Sequence, residues 1–414
     1  MSEHPIIRWS EGGLDHSARW RSEKGLAPHK RVVIADEQMT ADAAYRLACE
    51  GTALLWRGDF QNARQMLLAM ARRADEKSRR ATRKSGAVKI AEKSTTLPLV
   101  PASPLPTDAF HMHRLAQSQR ARTLGMLLLP LASDYSVPLR RAPDLRQACA
   151  EAYGPPDAVA ETGGDSLVSM RELLGLIGAH EWRKKGVEVP ALKDRIHPHY
   201  GVFAPVRGEY VDLVASAPLP LSGLSSSVAE PLPLAFDIGT GTGVLAAVLA
   251  RRGVKRVIAT DMDPRALACA GENMRRLKLS AEVQVLQADL FPEGRAPLIV
   301  CNPPWIPARP SSPIESAIFD PDSRMLRGFI AGLAAHLEPG GEGWLILSDI
   351  AEHLGLRSRA QLLAYFAQGG LEVIDRLDAR PTHPRVADTA DPLHTARAAE
   401  VTSLWRLSLQ TGNF

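Results

Sequence analysis

Four consecutive residues, Asn302-Pro303-Pro304-Trp305, are of types that can make an unreactive nitrogen react. A nitrogen conjugated to a ring or a carbonyl has a delocalised lone pair and is a poor nucleophile. If the Asn302 side-chain oxygen and the Pro303 carbonyl each accept one of its N–H bonds, the nitrogen is drawn toward tetrahedral geometry and its lone pair is aimed at an electrophile. Two prolines stiffen the backbone that presents those acceptors. Trp305 offers a flat face on which a planar group can stack. Positive charge developing on the nitrogen would face two oxygen dipoles. Catalysis by Asn302, Pro303 and Trp305 therefore rests on alignment and needs no general base of shifted pKa.

Upstream lies a second chemical signature, Asp237-Ile238-Gly239-Thr240-Gly241-Thr242-Gly243. Glycines at a strand-to-helix turn permit a tight bend and let a ligand approach the backbone. Asp261 follows 18 positions after Gly243, where an acid accepts hydrogen bonds from ribose hydroxyls. Both NAD and S-adenosylmethionine would satisfy that arrangement. Short β-rich runs at 233–237, 256–260, 282–286, 298–301 and 344–347 alternate with helical periodicity. Leu267, Ala270, Met274 and Leu277 share one helix face; Leu326, Phe329, Ile330, Leu333 and Leu337 share another. Such alternation implies a parallel sheet covered on both faces, with ligands at the carboxyl ends of its strands. Trp405, Leu407 and Leu409 alternate with polar residues as a final strand.

An acid followed by Gly-x-Gly-x-Gly resembles the loop of class I S-adenosylmethionine-dependent methyltransferases more than the dehydrogenase loop. Asn302-Pro303-Pro304-Trp305 is similar to the Asn-Pro-Pro-Tyr motif of methyltransferases that modify exocyclic amino groups of nucleobases or the amide of glutamine, with Trp305 in place of Tyr. The resemblance spans about 200–414 and points to the "small methyltransferase" group, which includes release-factor glutamine methyltransferases and several ribosomal RNA guanine methyltransferases. Gly201-Val202-Phe203 resembles the RNA enzymes. Pro205, Arg207, Glu209 and Phe319-Asp320-Pro321 resemble segments of the glutamine enzymes, with Asp320 where Glu is usual.

This resemblance implies an α/β fold, a Rossmann-like sheet of seven strands with the last antiparallel, behind a mixed, mostly helical N-terminal region. It also implies S-adenosylmethionine as cofactor, bound by Asp237, Gly239, Thr240, Gly241, Gly243, Asp261, Asp289 and Asn302, with Asp289 accepting from the adenine amino group. Strand-end acids also cap turns, which is the structural alternative for Asp261 and Asp289. The favoured acceptor is an exocyclic amino nitrogen of nucleic acid, RNA ahead of DNA. The alternatives are a protein glutamine amide and a non-catalytic nucleic-acid-binding module, against which Asn302 argues.

At 414 residues the chain is long enough for two or three domains. Three regions are expected: a helical, basic stretch at 1–95, a mixed α/β substrate-recognition region at 107–195, and the methyltransferase domain at 196–414. Residues 1–200 carry a net charge of +7 and 201–414 a net −3. Residues 71–93 hold nine Lys or Arg against three acids, either a solvated helix end or a phosphate contact. Four prolines between 98 and 106 read as a stiff linker. Thr40 and Asp59 are placed to cap helices. Cys49, Cys149, Cys269 and Cys301 are scattered, as free thiols of a reducing compartment. The pairs His111/His113 and His197/His199 lack a third ligand, so no metal is expected. The opening has no apolar run of signal-peptide length, and a soluble cytoplasmic protein is expected. The segment 376–400 is expected to fold over the acceptor pocket.

Overall fold

The computed structural model describes residues 5–88, 105–156, 165–220, 231–310, 313–382, 388–389 and 391–410, with side chains throughout except at 78–88 and 313–314. The chain forms two compact units, Met1–Ser103 with His111–Glu181, and Pro104–Phe110 with Trp182–Phe414.

In the first unit, strands β1 (Ile6–Glu11), β2 (Leu14–Arg21), β3 (Val32–Ala35), β4 (Ala53–Trp56), β5 (Leu127–Leu131) and β6 (Ser166–Ser169) form one sheet ordered β1-β2-β6-β5-β4-β3. Gly12 and Gly13, both at positive φ, make the two-residue turn joining β1 to β2. The helices are α1 (Ala41–Cys49), α2 (Phe60–Val88), α3 (Pro106–Leu124), α4 (Arg146–Tyr153) and α5 (Met170–Lys185); α3 and α5 cross the unit boundaries. Thr40 caps α1 by accepting from the Ala43 N–H, and Asp59 accepts from the Gln61 N–H at the start of α2. Helix exceeds strand, as expected. The expected division into 1–95 and 107–195 does not hold, because strands from both sides of the proline-rich stretch pair in one sheet. The reason is compositional. The apolar run 126–131 reads as a strand and is β5, but β4 and β6, also buried on both faces, are too short for periodicity to distinguish from helix. The stretch 165–185, whose pattern reads as a single helix, begins as β6 and continues as α5.

Most of the stiff linker expected at 98–106 lies outside the described residues. Helix α2 carries the start of the basic stretch, where Arg73 pairs with Asp42 at 2.6 Å and Asp75 with Arg120 at 2.7 Å. Side chains beyond Lys77 in that helix lie outside the description.

The second unit opens with a small hairpin, β7 (Val187–Val189) and β8 (Asp194–Ile196), and α6 (Glu209–Ser216). Then follow β9 (Ala235–Ile238), α7 (Val244–Arg251), β10 (Val257–Asp261), α8 (Pro264–Leu277), β11 (Val283–Gln287) and β12 (Ala296–Cys301). The chain continues through α9 (Arg324–His336), β13 (Leu337–Ser348), α10 (Ile350–His353), α11 (Arg359–Gln368), β14 (Leu371–Ala379), α12 (His394–Ala399) and β15 (Thr402–Leu409). The seven strands are ordered β11-β10-β9-β12-β13-β15-β14. The first five are mutually parallel, and β15 runs antiparallel to both neighbours. Alternate residues of β12 feed two cores, Leu298 and Val300 on one face and Ile299 and Cys301 on the other. Helices α6, α7 and α8 cover the first face, and α9 and α11 the second.

The His197/His199 pair has a packing role. His197 Nδ1 lies 2.7 Å from the Arg183 carbonyl and His199 Nε2 2.7 Å from Glu272. All four cysteines are free, with only Cys49 exposed. Among the described residues no helix is long and apolar enough to cross a membrane.

Burial works against ionisation of Glu272, yet hydrogen bonds from Arg276, His199 and Arg183 hold its carboxyl at about 2, against an ordinary 4.5. Its stabilisation is therefore present above pH 4.5 and lost as pH falls toward 2. Glu272→Gln is expected to lower the melting temperature at pH 7 by roughly 5 °C. In thermal melts across pH the gap should close on acidification; a gap independent of pH would contradict this role.

Candidate active site

Between β9 and β12 the strand order reverses, since the chain runs outward through β10 and β11 and returns on the other side of β9. Ligands bind at such reversals in parallel sheets. Ile238 pairs with Cys301 across the two strands, so Gly239 and Asn302 leave the sheet as neighbours, roughly 4.8 Å apart.

Asp237 supports the glycine loop from beneath. It is 2% exposed, and its Oδ2 accepts from Thr240 Oγ1 at 2.6 Å and from the Ala246 N–H at 3.0 Å. Both side chains are buried and spend these bonds on the loop itself. Burial pushes the Asp237 carboxyl up to about 6, opposed by those two hydrogen bonds and reinforced by the nearby Asp261 charge. Gly239, Gly241 and Gly243 all have positive φ, for different local reasons. A Cβ at Gly239 would collide with Met325, and one at Gly243 would press on Met274 and the α8 backbone. At Gly241 a Cβ would meet nothing within 4 Å, so this is where the loop opens outward.

Asp261, at the end of β10, closes the loop. Its Oδ2 accepts from the Gly241 N–H at 2.9 Å and its Oδ1 from the Asp263 N–H at 3.0 Å. Each oxygen keeps a lone pair for a further donor, which fits ribose hydroxyls set beside an open glycine. Asp289 stands half-exposed beyond β11, with one oxygen taken by Arg324 at 2.9 Å. The other remains for an amino group.

On the acceptor side, Asn302 Oδ1 accepts from the Trp305 indole N–H at 2.9 Å. The motif thus fixes its own amide orientation, a bond that Tyr at this position could not reproduce in kind. One lone pair of Oδ1 remains. Trp305 is less a free platform than the sequence implied. It packs against both cores and against a third cluster of Phe110, Ile350, Leu354, Leu393 and Ala396, and the Arg207 guanidinium lies over its ring at 5.7 Å. Glu400 holds Arg207 through two hydrogen bonds of 2.9 and 3.1 Å and itself accepts from Ser348 Oγ at 2.7 Å. This Arg207–Glu400–Ser348 support was not foreseen. Arg207 drew notice by resemblance, but Glu400 lies 193 residues away and no local pattern marks it. Part of the segment expected to cover the pocket, 383–387 and 390, lies outside the described residues; Leu393 and Ala396 pack in the cluster that touches Trp305.

Residues 219–306 match the family model described as ribosomal protein L11 methyltransferase (PrmA). The second unit has the class I methyltransferase fold. In that unit the glycine loop follows β9, Asp261 ends β10 and the Asn302 motif follows β12. The chain is similar to a release factor glutamine methyltransferase of Cereibacter sphaeroides, 33% identical over 172 residues that cover 38% of this chain and 60% of the relative. It is also similar to a ribosomal protein L11 methyltransferase of Pelotomaculum thermopropionicum, 48% identical over 69 residues, 16% of this chain and 22% of the relative. The chain therefore spans less than two thirds of the length of these curated relatives. A solved structure of a putative RNA methyltransferase from Pyrococcus horikoshii aligns with a TM-score of 0.35 at 18% identity, covering 56% of this chain and 98% of that one.

Because burial raises the Asp237 carboxyl above its ordinary 3.8, the group favours the native state most below pH 4, and that contribution is lost as pH rises through about 6. Asp237→Asn keeps an acceptor for Thr240 and Ala246 without ionising. The melting temperature of the variant relative to the native protein should climb by about 5 °C between pH 4 and 7. Parallel melting curves over that range would remove the titrating carboxyl from the account.

Proposed function

We propose that the second unit transfers the methyl group of S-adenosylmethionine to a planar amide nitrogen, the side-chain amide of a protein glutamine. The observation that carries this reading is the register of β9 and β12, which sets a nucleoside loop and a nitrogen-aligning motif side by side. The expectation of an RNA acceptor gives way here, because the similar curated proteins include release factor glutamine methyltransferases from several organisms.

Asp261 would hold the ribose, Asp289 the adenine amino group, and the open backbone at Gly241 would admit the rest of the nucleoside. When bound, S-adenosylmethionine supplies a methyl group activated by a sulfonium. The remaining lone pair of Asn302 Oδ1 and the Pro303 carbonyl each accept one N–H of the acceptor amide. Held so, the nitrogen lone pair points toward the loop. The nitrogen would take the methyl group at that lone pair as the sulfonium releases it, and would then lose its extra proton to solvent. Trp305 keeps the Asn302 oxygen facing the acceptor, and Arg207 keeps Trp305 in place. Alignment of this kind supplies a large share of a two-reactant barrier.

Incubating the full chain with methyl-labelled S-adenosylmethionine and separate lysate protein, RNA and DNA fractions tests the acceptor. Label is expected in protein, recovered as N-methylglutamine after digestion; label confined to RNA would overturn the glutamine reading. Asn302→Ala should abolish transfer while cofactor affinity changes by no more than a few fold. Trp305→Phe keeps the ring but removes the indole donor. It should slow turnover about fivefold with cofactor affinity unchanged, since one hydrogen bond of about 1 kcal/mol orients the Asn302 amide. Full activity in that variant would show that the amide is oriented by something else.

A further inference from the structure

We infer that Arg357 is a recognition residue for a substrate carboxylate, so that the glutamine methylated at Asn302 lies near an acidic residue of the acceptor protein. Arg357 stands in the turn between α10 and α11, on the acceptor side of the sheet, and is 4% exposed. The hydrogen bond its side chain makes among the described residues is a long one, from Nη2 to the Trp305 carbonyl at 3.4 Å, which ties it to the Asn302 motif. Its Nε is buried and without an acceptor. Among the described residues no carboxylate pairs with it within 4.0 Å.

A buried guanidinium without an anion is costly, a cost that an arriving carboxylate would relieve. The carboxylates whose charge reaches Arg357 from further off are already committed. Glu352 accepts from Arg359 at 2.7 Å, and the two oxygens of Asp320 accept from the Met325 and Leu326 N–H groups at 3.1 Å each. The free donors of a planar guanidinium fork match the two oxygens of one carboxylate.

The choice of a carboxylate over a nucleic-acid phosphate follows from the setting. A phosphate backbone runs along a surface and engages several cations at once. Arg357 is enclosed, and other guanidiniums of this rim are taken: Arg207 by Glu400 at 2.9 Å, Arg359 by Glu352, and Arg397 by Asp391 at 2.7 Å. A single enclosed cation suits a single anion carried in on a side chain.

This inference rests on the glutamine reading, and its readouts are binding and melting rather than turnover, so that failure of methyl transfer would not be confused with failure here. The probes are short, end-blocked, dye-labelled alanine-based peptides with a central Gln and either one Glu or none nearby, the Glu placed in turn at each flanking position. By fluorescence polarisation with the full chain, the best Glu peptide is expected to bind about tenfold tighter than its Glu-free counterpart. Arg357→Met should abolish that preference, and Arg357→Lys should retain only part of it. Arg357→Met should also melt a few degrees above the native protein, because an unpaired buried charge is removed while most of the volume stays. Equal binding of all peptides, a Glu preference that survives Arg357→Met, or a lower melting temperature in that variant would each overturn the assignment. So would oligoribonucleotide binding that is lost with Arg357.

Discussion

The backbone hydrogen bonds that pair β9 with β12 carry more of this site than any side chain does. They join two strands far apart in sequence, and they set Ile238 opposite Cys301. A slip of one residue would turn Leu298 and Val300 toward the core now filled by Ile299 and Cys301, and the reverse. Both faces of these strands are buried, so both cores resist the slip. The separation between nucleoside loop and acceptor motif is thereby fixed by packing that never touches a ligand.

Two carboxylates then divide the work around the loop. Asp237 is sealed in and braces it through Thr240 and Ala246, while Asp261 reaches the rim and pins Gly241. On the acceptor side Glu400 takes the bracing part, buried beneath Arg207 and Ser348. In each half a buried acid holds the backbone or a cation, and the groups with spare hydrogen-bonding capacity stand above it.

Much of the second unit was legible in the sequence, because turn glycines and strand-end acids bracket its parallel strands. The runs at 233–237, 256–260, 282–286 and 298–301 begin within one or two residues of where β9 to β12 begin, and 344–347 lies inside β13. β14 and α11 were not singled out, having no functional residue to draw attention to them. In the first unit only β5 was legible, as the apolar run 126–131; its sheet was not, since the strands pair across long stretches of chain and β4 and β6 are too short for periodicity to separate from helix. Within the site, the residue types of the loop and motif could be read. The Trp305 to Asn302 bond could not, because it depends on how the chain folds back after Pro304, and neither could the approach of Glu400 to Arg207.

That last contact gives the two halves of the site different histories. The loop, Asp261 and their supports come from β9 to α8, a short span whose contacts are mostly local. The acceptor half waits for residues 207, 348 and 400 to meet, and the last of these immediately precedes β15. Contacts separated so widely in sequence form late, after the loop-closure entropy has been overcome. During synthesis the glycine loop and Asp261 can be in place while Trp305 still lacks its brace, so on the function proposed above an acceptor would be aligned only once β15 has entered the sheet.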